Sequence, residues 1–202
     1  MVNQKESEDL NKKALFLSYF TVVYNLIEGI ISIFFGFISG SIALVGFGID
    51  SFIESFSSGV MIWRFSHTSN NSPGESEKKE FLAIKLVGIS FFIFGTYVLY
   101  ESIRKLYYSH IPEPSIVGII IAIISLIIMP ILYYYKNDIG KKIGSKSLVA
   151  DSKQTLACAY LSIALLIGLS LNYFFSIWWA DPVFGLLIFL YLYREGYETL
   201  IE

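Results

Sequence analysis

The sequence predicts an all-α membrane protein, a six-helix transmembrane bundle, and three observations carry that prediction. Of 202 residues, 54% are hydrophobic, 17% aromatic and only 16% charged, where soluble domains carry about 25% charged residues. Mean hydropathy is +0.60. The apolar residues also gather into six stretches of about 20 residues or more, the length a helix needs to cross a bilayer. The stretches are continuous rather than alternating, which selects helices over barrel strands.

The first span is expected over residues 14–37, after the polar start MVNQKESEDLNKK, and the second over 41–65, beyond the turn residues Gly36 and Gly40. The segment HTSNNSPGESEKK is rich in Ser, Asn, Pro and Gly and reads as a loop. The third span is expected over 81–107, and the fourth, over 115–135, carries no charge. A polar link, KNDIGKKIGSKS, precedes the fifth span at 148–174, and the sixth covers 182–202. The whole chain, 1–202, is expected to be one transmembrane domain with no soluble C-terminal domain.

Basic residues set the orientation. Lys5, Lys12 and Lys13 precede the first span; Arg64, Lys78 and Lys79 flank the second link; Lys136, Lys141, Lys142 and Lys146 follow the fourth span. Six spans place these on one face, against Arg104 and Lys105 on the other. The excess of Lys and Arg on cytoplasmic loops then predicts both termini in the cytoplasm. The start of the chain lacks the basic, apolar and small-residue pattern of a signal peptide, so it is expected to be retained. A net charge of −2 argues against a nucleic-acid partner. The single cysteine, Cys158, excludes an internal disulfide.

Function is sought in the polar residues inside the spans. Asp50 and Glu54 lie four apart in GFGIDSFIESFSS, so they share one helix face. An ionised side chain at the bilayer centre costs at least ~2.5–3.5 kcal/mol, so such residues are functional by default. The first span adds Asn25 and Glu28. The fifth adds Gln154 and Cys158, which repeat the four-residue spacing. Two facing helices that each offer two donors can surround a cation in a four-coordinate arrangement. Thiolate favours zinc or another borderline metal, while carboxylate and amide oxygens also suit manganese or iron. The candidate metal-binding set is therefore Asp50, Glu54, Gln154, Cys158, Asn25 and Glu28.

The same segments carry a family resemblance. GSIALVGFGIDSFIES resembles the second-helix motif of the cation diffusion facilitator family of divalent-metal transporters, SKSLVADSKQTLACAYLS its fifth helix, and WWADPVFGLLIFLYLYREGYETL its sixth. The resemblance covers Lys12 to Glu202. The family's second-helix acidic pair falls on Asp50 and Glu54, with Glu in place of the more usual Asp. Its fifth helix commonly supplies His and, four later, Asp; those places hold Gln154 and Cys158.

The resemblance implies efflux of a divalent metal, with zinc favoured and manganese, iron or cobalt as alternatives. It implies alternating access with protons as counter-ion, a homodimer, and a multi-pass protein of the cell (inner) membrane in contact with lipid. It implies no prosthetic group. A non-transporting metal sensor or assembly partner on the same fold is the alternative. An enzyme is not expected: there is no paired nucleophile and base and no phosphate-cradling Gly-Lys loop.

Each residue also has a structural reading. The acidic pair could bond Ser51 or Ser55, Gln154 could bridge helices, and Cys158 could be a small packer. Asp151 and Lys153 are read as pairing with neighbours or lipid head groups, and Asp181 as a helix cap before Pro182. His67 and His110 are read as solvated. Gly29, Gly36, Gly40, Gly46, Gly48 and Gly59 are expected to let the first two helices pack closely. The cluster YFFSIWW is read as an interfacial aromatic belt.

Overall fold

The computed structural model describes residues 4–39, 42–66, 73–108, 116–175 and 179–201. Among these residues the chain is all-helical: α1 (Gln4–Ser39), α2 (Ile42–Ser66), α3 (Pro73–Tyr108), α4 (Ile116–Ile143), α5 (Lys146–Phe175) and α6 (Ala180–Ile201). α1 lies along α2, α3 along α6 and α4 along α5. α5 also touches α2, α3 and α6, so α2 and α5 stand at the centre of the bundle. Met61, Phe91, Phe94, Leu148 and Leu192 are fully buried and join α2, α3, α5 and α6 in one apolar core. The outward faces stay apolar too: Phe16, Ile27, Ile30 and Phe34 on α1 and Ile116, Ile127 and Ile131 on α4 are exposed, as a lipid-facing surface requires.

Among the described residues, three segments, Ser7–Ile38, Lys78–Tyr108 and Ile116–Ile143, are long and apolar enough to cross a membrane by length and composition. They belong to α1, α3 and α4. α2 and α5 carry a large share of the buried polar side chains, among them Asp50, Glu54, Ser57, Ser58, Asp151, Gln154 and Thr155. Their polarity is thus turned inward.

Several boundaries differ from the sequence reading. α1 starts at Gln4, ten residues before the expected span, because the polar start continues the helix and Lys13 pairs with Asp9 one turn away (2.6 Å). α3 begins at Pro73, inside the expected loop, since proline suits the first helical position. α4 runs to Ile143, so most of the expected fourth link is helix. Buried Lys136, Ile139 and Gly140 pack this extension onto the bundle. Lys136 therefore drops out of the basic residues of the link. α6 begins at Ala180, which sets Asp181 one residue inside the helix rather than before it. Residues 67–72 and 109–115, with His67 and His110, lie outside the described residues, as do residues 176–178 of the aromatic cluster. Phe175 and Trp179 of that cluster are exposed.

The α4–α5 corner closes on Gly144, whose φ of +68° suits only glycine at low cost. The amide of Ser145 donates to Gly140 O (2.9 Å) and that of Gly144 to Lys141 O (3.4 Å), the paired bonds of a Schellman ending. Ser145 Oγ then accepts from Leu148 N (3.3 Å) and caps α5. Glu80 of α3 ties this corner to α2: its carboxylate accepts from Ser147 N (2.8 Å), Ser145 Oγ (3.1 Å) and Arg64 Nε (2.5 Å).

The glycines divide between partners. A Cβ on Gly48 would sit 2.8 Å from Gly29 O, and one on Gly36 would sit 2.7 Å from Val45 N, so these three glycines do seat α1 against α2. Gly46 instead faces the Tyr97 hydroxyl of α3, and Gly59 has nothing within 4 Å of a built Cβ. Close packing of α1 on α2 therefore does not rest on those two. Gly40 lies outside the described residues.

Candidate functional site

The helix period places Asp50 and Glu54 one turn apart on the face of α2 that looks into the bundle; both are buried. α5 runs antiparallel to α2, and two contacts fix the register. At one level Cys158 Sγ–H donates to Asp50 Oδ2 (3.1 Å). Nearer the α4–α5 turn, Ser57 Oγ (2.6 Å) and Ser58 Oγ (3.3 Å) donate to Asp151 Oδ1. Glu54 and Gln154 fall at one level between these two contacts. The matched four-residue spacing on the two helices thus comes together pair by pair.

α1 approaches from the other side. Glu28 is buried and already satisfied: Tyr24 OH donates to Oε1 (2.8 Å) and Ser51 Oγ to Oε2 (2.9 Å). Ser51 adjoins Asp50 in sequence, so Glu28 is held beside the acidic pair. Asn25 is fully buried as well. α3 contributes Ser90, whose hydroxyl donates to Gln154 Oε1 (3.1 Å).

Several buried polar atoms in this region have no protein partner: both carboxylate oxygens of Glu54, Oδ1 of Asp50, Nε2 of Gln154, and both amide atoms of Asn25. Buried polar groups are nearly always hydrogen-bonded, and an orphan costs roughly 1–3 kcal/mol, more when charged. Four of the six orphans are acidic or amide oxygens, the donor type that a hard or borderline cation takes. Among the described residues, no three His, Cys, Asp or Glu side chains converge on one point as a compact metal cluster would. The donors are instead staggered over two turns of α2 and α5.

Three features escaped the sequence reading. Ser90, a lone serine in the apolar run GISFF, supplies the α3 contact. Tyr24 lies one turn before Glu28, a spacing that could have paired them. Lys136, read as part of the polar link, is the neighbour that Asp151 pairs with: Lys136 Nζ lies 2.8 Å from Asp151 Oδ2, and both side chains are fully buried. Lys153 pairs with Glu195 of α6 (2.7 Å).

A cavity reaches Asp50 from the side of the bundle opposite the α4–α5 turn. Gly46, Tyr97, Glu101, Lys105 and Pro182 line it, with Asp50 at its inner end. One oxygen of Glu101, Oε2, is buried without a protein partner; the other accepts from Arg104 (3.0 Å).

Residues 18–202 match the family model of the cation efflux transmembrane domain. The chain is 24% identical over 198 residues to Transmembrane protein 163 of Xenopus laevis, covering 98% of this chain and 69% of that protein. It is 26% identical to an uncharacterized transporter of Methanocaldococcus jannaschii, covering 93% of this chain and 66% of that protein. It is 25% identical to a cadmium, cobalt and zinc/H(+)-K(+) antiporter of Bacillus velezensis, covering 98% of this chain and 63% of that protein. The chain thus spans about two thirds of the length of these relatives.

Proposed function

Because the chain belongs to the cation efflux family, we propose that it carries a divalent transition-metal cation across a membrane, along a path between α1, α2 and α5. The observation that supports this most is the buried Asp50–Glu54 pair, with three of its four carboxylate oxygens lacking a protein partner. A divalent cation would satisfy these oxygens and offset the two charges together. Cys158 and Gln154 would complete the donor set from α5, and the buried, unpartnered amide of Asn25 would offer a further oxygen from α1. Glu28, already bound by Tyr24 and Ser51, serves to fix the α1 side of the site.

A thiolate among the donors favours zinc, cadmium or cobalt over manganese. It also ties metal to proton. Cys158 presents its S–H to Asp50, and a metal bound to sulfur displaces that proton. Exchange of metal for protons follows, in line with the antiporter name of the Bacillus relative. Alternating access, a homodimeric assembly, cytoplasmic termini and a place in the cell membrane complete the proposal.

The test is metal flux into vesicles containing the purified chain, followed with a metal-sensitive dye inside. Zinc or cobalt uptake is expected for the wild type and not for Asp50→Asn. Equal flux in both, or none in the wild type for zinc, cadmium, cobalt and manganese, would overturn the proposal.

A further inference from the structure

We infer that Lys136 and Asp151 form the closed gate on the α4–α5 side of this path, with the Lys136 ammonium standing in the way of the ion. The inference rests on the transport reading above and adds two residues to it.

The geometry is that of a plug. Lys136 Nζ is held by Asp151 Oδ2 (2.8 Å), Ser58 Oγ (3.0 Å) and Thr155 Oγ1 (3.1 Å). Asp151 Oδ1 is held in turn by Ser57 and Ser58. All five side chains are buried. The cluster joins α2, α4 and α5 on the seam that bears Asp50, Glu54, Gln154 and Cys158. It lies seven to eight residues from Asp50 along α2, about 11 Å at 1.5 Å per residue. A cation moving along the seam between Glu54 and the α4–α5 turn would have to pass the point that the ammonium occupies.

Two further observations support a gate over a structural tie. On the opposite side a cavity lined by Tyr97, Glu101 and Lys105 extends inward to Asp50. The seam thus borders a cavity at one end and is filled by the ion pair at the other, the asymmetry that alternating access requires of a single state. Beyond the plug, Arg64, Glu80 and Ser147 bind α2, α3 and α5 together and close the same end a second time. A buried ion pair is also a poor choice for stability alone, because apolar replacements of similar volume are often neutral or stabilising. It is a good choice for a contact that must part and hydrate, since both partners of a charged pair regain solvation when they separate.

Cys158 is the sole cysteine of the chain and lies past the plug, at the level of Asp50. Its modification by a charged methanethiosulfonate reagent therefore reads the gate without any metal. The reagent is applied from the face carrying the α4–α5 turn, to the full chain in vesicles of known orientation. Lys136→Met leaves Asp151 buried and unpaired, and modification from that face is expected to speed up at least tenfold. Ser57→Ala/Ser58→Ala, which leaves the ion pair intact, is expected to speed it about threefold and keeps the test alive if Lys136→Met does not fold. Lys136→Met/Asp151→Leu is expected to fold, to protect Cys158 as the wild type does, and to lose metal flux. Unchanged labelling in both of the first two variants, or wild-type flux in the apolar pair, would overturn the gate. Absence of flux in the wild type would instead overturn the transport reading, and labelling would still decide the gate.

Discussion

Gly48→Ala tests whether the close seating of α1 on α2 holds the site together. A Cβ at position 48 would lie 2.7 Å from Ile33 Cγ1, 2.8 Å from Gly29 O and 3.0 Å from Ile33 N. The first atom can swing aside; the other two are backbone, so α1 itself must move by several tenths of an ångström. Overpacking of this kind costs about 1–3 kcal/mol. At roughly 2–4 °C per kcal/mol for a chain of this size, the apparent Tm in detergent is expected to fall by about 2–12 °C. The movement also strains the Ser51–Glu28 bond of 2.9 Å, three residues along α2, so metal affinity is expected to fall with stability. Gly59→Ala is the control. It has open space around the new Cβ, and alanine in a helix interior gains ~0.5–1 kcal/mol over glycine. A thermal melt of the two variants side by side decides the matter. Equal Tm values, or a larger loss at position 59, would refute the packing argument.

Two other perturbations probe the site and its frame. Cys158→Ser keeps a donor to Asp50 but removes the sulfur, so competition between metals in the flux assay is expected to shift from cadmium and zinc toward manganese; an unchanged order would remove Cys158 from the donor set. Glu80→Ala takes the acceptor from Ser147 N, Ser145 Oγ and Arg64 at once, and at ~1.5–3 kcal/mol for bonds to a charged group it is expected to lower stability by about that much in a denaturation series, with an unchanged midpoint counting against it.

Much of this arrangement was legible in the sequence, for a physical reason. Helices keep side-chain order, so Asp50 and Glu54 on one helix and Gln154 and Cys158 on another declare a shared face before any partner is known. The partners themselves are not declared. Lys136 sits in a run of polar residues and reads as part of a link; only Asp151, on the next helix, turns it into a buried residue and lengthens α4 to Ile143. Glu28 reads as a free donor, yet Tyr24 and Ser51 occupy both its oxygens. Gly46 and Gly59 fit the pattern of small residues along α2, but the side of a helix that meets a neighbour depends on tertiary placement that a pattern of glycines does not carry.

The matched spacing along α2 and α5 makes their shared face resemble a toothed rack. Asp50 opposite Cys158 and Glu54 opposite Gln154 are two teeth a single turn apart. A slide of four residues, about 6 Å, would hand the thiol from Asp50 to Glu54 and bring Gln154 opposite Ser58. The same slide would carry Asp151 from its serines to Met61, which offers it no hydrogen-bond donor. Intermediate displacements would leave every tooth between partners. On the transport proposed above, relative motion of the two helices would be stepwise, and a cation held between them would change hands in discrete positions rather than drift along a continuous groove.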